Sequence, residues 1–148
     1  MMAKGKHEDK QEQNYLEMAQ RIQAEFENYK KRNASIAQDS YRNGVIMSVR
    51  KMLPVIDSFK QAKAQIKEES ILAGLDLVLG QMMGALKELG VTKIECVGLP
   101  FDPNLHNAVL VGSDKSKPDQ IVLDELQEGF MLGEYVIRHS VVKINKLS

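Results

Sequence analysis

An uninterrupted helical pattern fills residues Tyr15–Asn43, which read YLEMAQRIQAEFENYKKRNASIAQDSYRN. Side chains spaced alternately four and three residues apart form two series: Tyr15, Ile22, Tyr29, Ile36 and Asn43 at heptad position d, and Ala19, Phe26, Asn33 and Ser40 at position a. This spacing is typical of the seam between paired α-helices, and neither Pro nor Gly interrupts it before Gly44. Because a rod with one apolar stripe buries that stripe only against another surface, the pattern predicts a long dimerisation helix over residues 15–44.

The charges beside the seam predict that the two helices run parallel. In a parallel pair each g residue faces the e residue five positions further along the partner, and here Glu25 at g faces Lys30 at e. Asn33, at position a, is the kind of polar residue that favours two strands and fixes their register. The alternative is a long amphipathic helix that lies on its own domain, although the remainder of the chain is small for such a task.

Composition limits the classes of function. The chain has 148 residues, 5% aromatic residues and no Trp, so we expect no large globular core. Its 20 basic residues balance its 20 acidic residues, which argues against a nucleic-acid partner. The single cysteine, Cys96, excludes an intramolecular disulfide. Residues 1–14 are too polar for a secretory signal, and we expect no membrane span, which favours a cytoplasmic or organelle-matrix location.

Two further helices are expected after the rod. Residues 1–14 should be frayed or disordered, because they contain few apolar side chains. Gly44 is the first break in the helical pattern, and a second helix is predicted from Val45. Pro54 lies inside that helix and should either kink it or start a new one.

The third helix is predicted to begin at a Ser70 N-cap and to end before Gly90. Two short helices enclose little core, whereas two chains supply four, so residues 45–90 predict a four-helix bundle in the dimer. The side chains expected at the dimer interface are Tyr15, Ala19, Ile22, Phe26, Tyr29, Asn33 and Ile36 on the rod, together with Leu75 and Met82 on the third helix.

A small all-β domain is predicted over residues 91–148, so the fold class is α+β. After Gly90 the apolar period changes from 3.6 to 2, and Gly- and Pro-rich pieces separate the apolar runs. We expect this domain to close its own core. The predicted strands are Val91–Val97, His106–Val111, Ile121–Glu128 and Tyr135–Ile144.

No motif for catalysis, cofactor binding or metal binding stands out. The sequence has no phosphate-binding glycine loop and no nucleophile elbow, and its histidines do not lie at metal-ligand spacing. Asp102 and His106 suggest either an acid–base couple or, more typically for Asp-Pro-Asn, a turn. Cys96 is most simply a core residue. The basic run Lys30–Arg32 either attracts phosphate or is a solvated helix face. These patterns indicate a protein that acts through its surfaces and is not an enzyme.

Four blocks of the sequence, in the same order, resemble signatures of the GrpE family. They cover the chain from about Leu16 to its end and include one long and specific block around two prolines. The blocks are AEFENYKKR at Ala24–Arg32, LPVIDS at Leu53–Ser58, GLPFDPNLHNAV at Gly98–Val109, and GFML at Gly129–Leu132 followed by VIR at Val136–Arg138.

This resemblance implies a homodimeric nucleotide exchange factor that binds the nucleotide-binding domain of a DnaK-type chaperone, opens its cleft and releases ADP. It also implies that the factor needs no cofactor, binds no nucleotide itself and senses temperature through melting of its long helices. The chaperone-binding residues that it implies are Phe101, Pro103, Leu126 and Ile144 in the β domain, and Lys30, Lys31 and Arg32 on the rod. Tyr135 and His139 depart from the family pattern, which usually has Arg and Pro there.

Two other classes of function stay open on the residues alone. One is a coiled-coil scaffold whose β domain serves only for docking, and the other is an enzyme with an unrecognised site. Partner-dependent release of ADP would distinguish the exchange factor from the scaffold, and turnover without a partner would be needed for the enzyme.

Overall fold

A computed structural model describes the backbone of residues 2–147 and the side chains of residues 5–147. Within these residues the chain forms two helices followed by six strands. It divides into two compact units, Met1–Asn43 and Gly44–Ser148, which are described separately below. The expected order of a long helix, a further helical part and a small β domain is confirmed, as is the α+β class.

Helix α1, Met2–Gln65, is longer than expected at both ends. Residues 2–14 are helical rather than frayed, because they contain no Pro and are rich in Lys, Glu and Gln, which favour helices. Gly44 does not end the helix either. Glycine costs about 1 kcal/mol inside a helix, which is less than the hydrogen bonds lost by breaking it. The separate helix predicted from Val45 is therefore the continuation of α1.

Pro54 lies inside α1 without ending it. Its ring removes one backbone donor, and the Ser58 hydroxyl donates to the Pro54 carbonyl at 3.0 Å. Leu53 and Ile56, on either side, are almost completely buried. Packing of these side chains holds the helix where local propensity alone would favour a break.

Helix α2, Glu69–Glu88, begins after Glu68, whose backbone is extended. The predicted N-cap at Ser70 is wrong, because Ser70 lies inside the first turn and its hydroxyl donates to Glu68 Oε1 at 2.9 Å. The predicted stop at Gly90 is confirmed. Gly90 has a φ of 86°, which favours glycine, and its N–H donates to the Lys87 carbonyl at 3.0 Å.

Six short strands form two three-stranded sheets in the described part of the chain. They are β1 Val91–Lys93, β2 His106–Gly112, β3 Val122–Gln127, β4 Phe130–Leu132, β5 Tyr135–Arg138 and β6 Ser140–Asn145. The first sheet has the order β1-β4-β5 and is antiparallel. The second has the order β2-β6-β3, with β2 parallel and β3 antiparallel to the central strand β6.

The strand predictions were right in position and partly wrong in extent. Strands β2 and β3 agree with expectation to within a residue at each end. The first predicted strand stops at Lys93, and the last is divided into β5 and β6 at His139. Strand β4 was not predicted, because three apolar residues between glycines look like part of a turn.

The two sheets belong to two different hydrophobic cores. The first core joins the sheet β1-β4-β5 to both helices; its buried members are Val49, Leu53, Ile56, Leu79, Leu86, Val91, Phe130 and Ile137. The second core lies on the sheet β2-β6-β3; it consists of Cys96, Val122, Val142 and Ile144, with Phe101 and Ala108 packed against it. The expectation of one self-contained β core is therefore wrong, since half of the β domain is held by helices.

Helix α2 is long and apolar enough to cross a membrane, contrary to the expectation that the chain has no such run. Within the described residues it is the one helix that meets this test by length and composition. Two observations favour a protein surface over lipid. Asp76, near the middle of α2, pairs with Lys63 of α1, and Leu79 and Leu86 are buried in the first core. A carboxylate at mid-span is costly in a bilayer.

Candidate functional site

A stiff loop connects the second core to the surface at Pro100–Leu105. Pro100 forms an isolated bridge with Ile121, and the Phe101 N–H donates to the Gln120 carbonyl at 2.9 Å. The next residues form a tight turn, because the Asp102 carboxylate accepts the Asn104 N–H at 2.9 Å. The predicted Asp-Pro-Asn turn is therefore confirmed. Because the loop is fixed at both ends, the side chains it presents lose little entropy on binding.

His106 supports this loop from beneath. Its ring Nδ1 accepts the backbone N–H of Asp102 at 3.0 Å, and the backbone N–H of His106 donates to the Asp102 carbonyl at 2.8 Å. The pKa of His106 is below its usual value, chiefly because burial disfavours the charged ring; His139 acts in the same direction, while Asp102 and Glu125 oppose it. Since the Asp102 carboxylate bonds to Asn104 and His106 accepts a backbone N–H, the pair is a structural turn and not an acid–base couple.

Cys96 is a core residue, as expected. Its thiol donates to Glu125 Oε2 at 2.9 Å. Burial, followed by the neighbouring Glu125, raises the pKa of Cys96 to about 11, so the thiol stays protonated and unreactive near neutral pH. In the described part of the chain, no three His, Cys, Asp or Glu side chains are grouped to hold a metal ion.

The four β-domain residues expected to contact a partner differ in their exposure. Pro103 is exposed at the tip of the loop, and Leu126 on β3 is 48% exposed. Phe101 is half-buried, with its ring centroid 5.9 Å from that of His106 and its side chain against the second core. Ile144 is only 9% exposed, which leaves little of its side chain for a surface contact, and its role in binding stays a prediction. It lies on the central strand β6 and packs inside the second core.

Strand β2 carries an exposed apolar run that sequence reasoning did not single out as a surface. Val109, Leu110 and Val111 are each at least half exposed. Because β2 is an edge strand of its sheet, one side of its backbone also lacks a neighbouring strand within the described sheet. The continuous apolar sequence, which does not alternate with polar residues, was the signal available.

The first unit presents the rod's seam and its basic run. Tyr15, Ile22, Phe26, Tyr29 and Ile36 are each more than half exposed, and Ala19 and Asn33 are also exposed. In the second unit, Leu75 and Met82 are half-buried, and Met82 packs against the first core. Lys30, Lys31 and Arg32 are all exposed, with the Lys30 ammonium 4.5 Å from the centroid of the Phe26 ring.

A shallow groove of about 350 Å³ lies beside Leu126, between α1 and β3. Its lining is largely polar and charged, with Asp57, Lys60 and Gln61 on the helix and Glu125 and Glu128 on the strand side. An open groove of this character is poorly suited to enclosing a small apolar ligand. Stiff loops, exposed apolar side chains and a long helix with an open stripe instead define a class of protein that binds other proteins through its surface.

Comparison with known proteins identifies the family within this class. The GrpE family profile matches residues 3–146. Protein GrpE of Synechococcus elongatus is 38% identical over 142 residues, which cover 93% of this chain and 67% of that protein. Protein GrpE of Bacillus subtilis is 43% identical over 133 residues, which cover 85% of this chain and 70% of that protein.

This chain therefore belongs to the GrpE family, the co-chaperones that act as nucleotide exchange factors for DnaK. The resemblance carried by the four sequence blocks is confirmed, and so is the expectation that the chain is not an enzyme. Membership of this family excludes the two alternatives, a passive scaffold and an unrecognised enzyme.

Proposed function

We propose that this exchange factor works as a parallel homodimer that grips the nucleotide-binding domain of its DnaK chaperone with one β domain and with the basic run of the rod. In terms of linkage, such a factor binds the open form of the chaperone better than the closed form and so increases the population that has lost ADP. The cytoplasm is the location we propose.

The observation that carries the homodimer is the exposed seam. Five large apolar or aromatic side chains at d and a positions are more than half exposed on the rod, and no segment of the described chain covers them. Helix α2 adds Ile71, Leu77 and Val78, which are exposed while Leu79 and Leu86 of the same helix are buried. A second copy would bury both stripes with the same surfaces on each side, as two-fold symmetry requires.

The β-domain contact is supported by Leu126 and the stiff loop. Leu126 is an exposed leucine beside a charged groove, and Pro103 and the partly exposed Phe101 ring are presented by a loop that is fixed at both ends. Side chains that are held in place before binding lose little entropy when they dock, so they favour affinity. Ile144 supports this surface from the core, and a direct contact there stays a prediction.

The basic run is proposed as the second contact area. Lys30, Lys31 and Arg32 are exposed, and exposed cations steer association with an acidic partner more than they add affinity. We expect their removal to slow association and to reduce its salt dependence.

The proposed β-domain contact is tested by Leu126→Ala, with Leu110→Ala as its matched control. Both leucines lie on edge strands of the same sheet, and they are 48% and 50% exposed. Stopped-flow release of fluorescent ADP, titrated with each variant, should show affinity for the chaperone reduced about tenfold for Leu126→Ala. Leu110→Ala should stay near wild type. Equal titration curves for the Leu126 variant and wild type would remove Leu126 from the contact surface.

A further inference from the structure

An ion pair joins helix α1 to the first sheet of the β domain. The Arg138 guanidinium on β5 meets the Asp57 carboxylate on α1 in a bidentate pair, with Nη1 2.7 Å from Oδ2 and Nη2 3.0 Å from Oδ1. The two side chains are only 15% and 27% exposed, so water and salt screen the pair less than they would at an open surface. Two parallel charge-assisted hydrogen bonds fix both distance and orientation.

The same guanidinium also holds the turn between β3 and β4. Arg138 Nε and Nη2 donate to the Glu128 carbonyl at 3.0 Å and 2.6 Å, and its charge lies 6.0 Å from the centroid of the Phe130 ring. Gly129 follows Glu128 at a point of very close approach, because a Cβ there would lie 2.4 Å from the Ser140 nitrogen. One side chain thus connects helix α1, strand β5 and the turn that follows Leu126.

Neighbouring polar contacts reinforce this connection. Lys60 pairs with the Glu128 carboxylate, and Gln127 Nε2 donates to Asp57 Oδ2 at 3.2 Å. Arg50 Nε donates to the Ile137 carbonyl at 2.9 Å. We refer to Asp57, Lys60, Glu128 and Arg138 together as the clasp.

The clasp complements an apolar contact that lacks its directionality. In the first core, Leu53 and Ile56 of α1 pack against Phe130 and Ile137 of the first sheet. Apolar burial is roughly proportional to area and has little angular preference, so it keeps the sheet on the helix without fixing its tilt. The bidentate pair and the two hydrogen bonds that the Glu128 carbonyl accepts from Arg138 have strict geometry, and they fix that tilt.

We propose that the clasp is a positioning device for nucleotide exchange, with Asp57 and Arg138 as positioning residues that touch neither chaperone nor nucleotide. It rests on the proposed function, because what it positions is the surface around Leu126, two residues before Glu128. Opening a cleft requires that binding at the β domain be transmitted as a displacement. A β domain that tilts freely on α1 binds the chaperone but yields instead of opening the cleft, so binding is retained and the exchange rate falls.

Two variants test the clasp in the whole 148-residue chain. Arg138→Lys keeps the charge but loses the bidentate fork, and Asp57→Asn keeps the shape but loses the charge. Asp57→Glu is the conservative control, which retains a carboxylate. For each, we would measure the dissociation constant for the chaperone, the ADP release rate at saturating exchange factor, and thermal unfolding by circular dichroism.

The expected result is a separation of rate from affinity. Both variants should keep the dissociation constant within about threefold of wild type while the saturated release rate falls about tenfold, because the clasp acts on the displacement that opens the cleft and not on the surface that binds. Asp57→Glu, the conservative control, should retain most of the wild-type release rate. In the double variant Asp57→Asn/Arg138→Lys the loss should be no larger than in either single variant, because the residues act as one unit.

Two outcomes would overturn the proposal. One is an unchanged ADP release rate at saturating exchange factor for folded Asp57→Asn. This variant alone is decisive if Arg138→Lys lowers the melting temperature. Another is a loss of affinity alone, which would make the pair part of the binding surface. If Leu126→Ala has no effect but the clasp variants lose rate, the proposed contact at Leu126 fails while the clasp's role in exchange stands.

Discussion

Truncation of Phe101 separates the two roles that the structure gives this ring. Phe101 packs on the second core and is also partly exposed on the fixed loop. Substitution of a fully buried Phe by Ala lowers the stability of a protein by roughly 3–5 kcal/mol. Because Phe101 is half-buried, we expect Phe101→Ala to lose about half of that, roughly 2 kcal/mol, and the domain to stay folded.

The same variant should lose affinity for the chaperone. A partly exposed aromatic anchor on a fixed loop contributes roughly 2 kcal/mol at a typical interface, so binding should weaken about thirtyfold. Phe101→Leu is the control, because it keeps most of the apolar volume and should recover most of the stability while recovering less of the affinity.

Urea unfolding and chaperone titration of the same protein samples measure both effects. A folded Phe101→Ala variant with wild-type affinity would refute the anchor role. A stability loss of about 4 kcal/mol or more would refute the partial burial on which the first number depends. No change in either quantity would refute the whole account of the loop.

Two further predictions concern the seam and the histidine. Asn33→Leu should raise the first helical transition in circular dichroism and tighten the dimer in sedimentation equilibrium, because burying Leu instead of Asn gains roughly 1.5–3 kcal/mol per chain; a clean monomer in both proteins would contradict the homodimer. The pKa of His106 is lowered in the folded state, so the unfolded chain binds more protons and stability should decline as pH falls below the unfolded value of about 6.5. His106→Asn, which keeps an acceptor for the Asp102 N–H, should lose less stability in urea between pH 7.5 and 5.5, and an identical loss would show that His106 is not the titrating group.

The helices show where local sequence signals are sufficient and where they fail. The heptad spacing over Tyr15–Asn43 predicted the rod, because the pattern is long and uninterrupted. Gly44 indicated a break and Pro54 either a kink or a new start, yet α1 continues through both residues. Near Pro54 the reason is tertiary packing, since Leu53 and Ile56 are buried against other elements. A helix-propensity cost of about 1–3 kcal/mol at one residue is smaller than the free energy gained by burying two such side chains.

The β domain shows a different limit. The change of apolar period after Gly90 and the turn-rich pieces located most of the strands, but they did not indicate which face each strand buries or which strand is central. Ile144 was expected at the surface and is buried, because it lies on the face of β6 that packs into the second core. The Asp57–Arg138 pair joins residues 81 positions apart. Contacts at such separation depend on the assembled sheet order, which periodicity in a single sequence does not contain.

The division into two cores bears on how heat would act on this exchange factor. If the rod melts first, the polar seam positions Asn33, Ser40 and Asn43 are its weak points, and all three lie before Gly44. From Val49 onward, α1 carries the apolar seat of the first sheet and, at Asp57, the clasp. Melting that proceeded from the N-terminal end of α1 and stopped before Val49 would leave the first sheet packed on the helix. Melting that continued past Asp57 would release the first sheet as well. A reversible thermal brake therefore requires that the first transition be confined to the first unit, and it predicts that the first sheet does not unfold independently of the helical segment that follows Gly44.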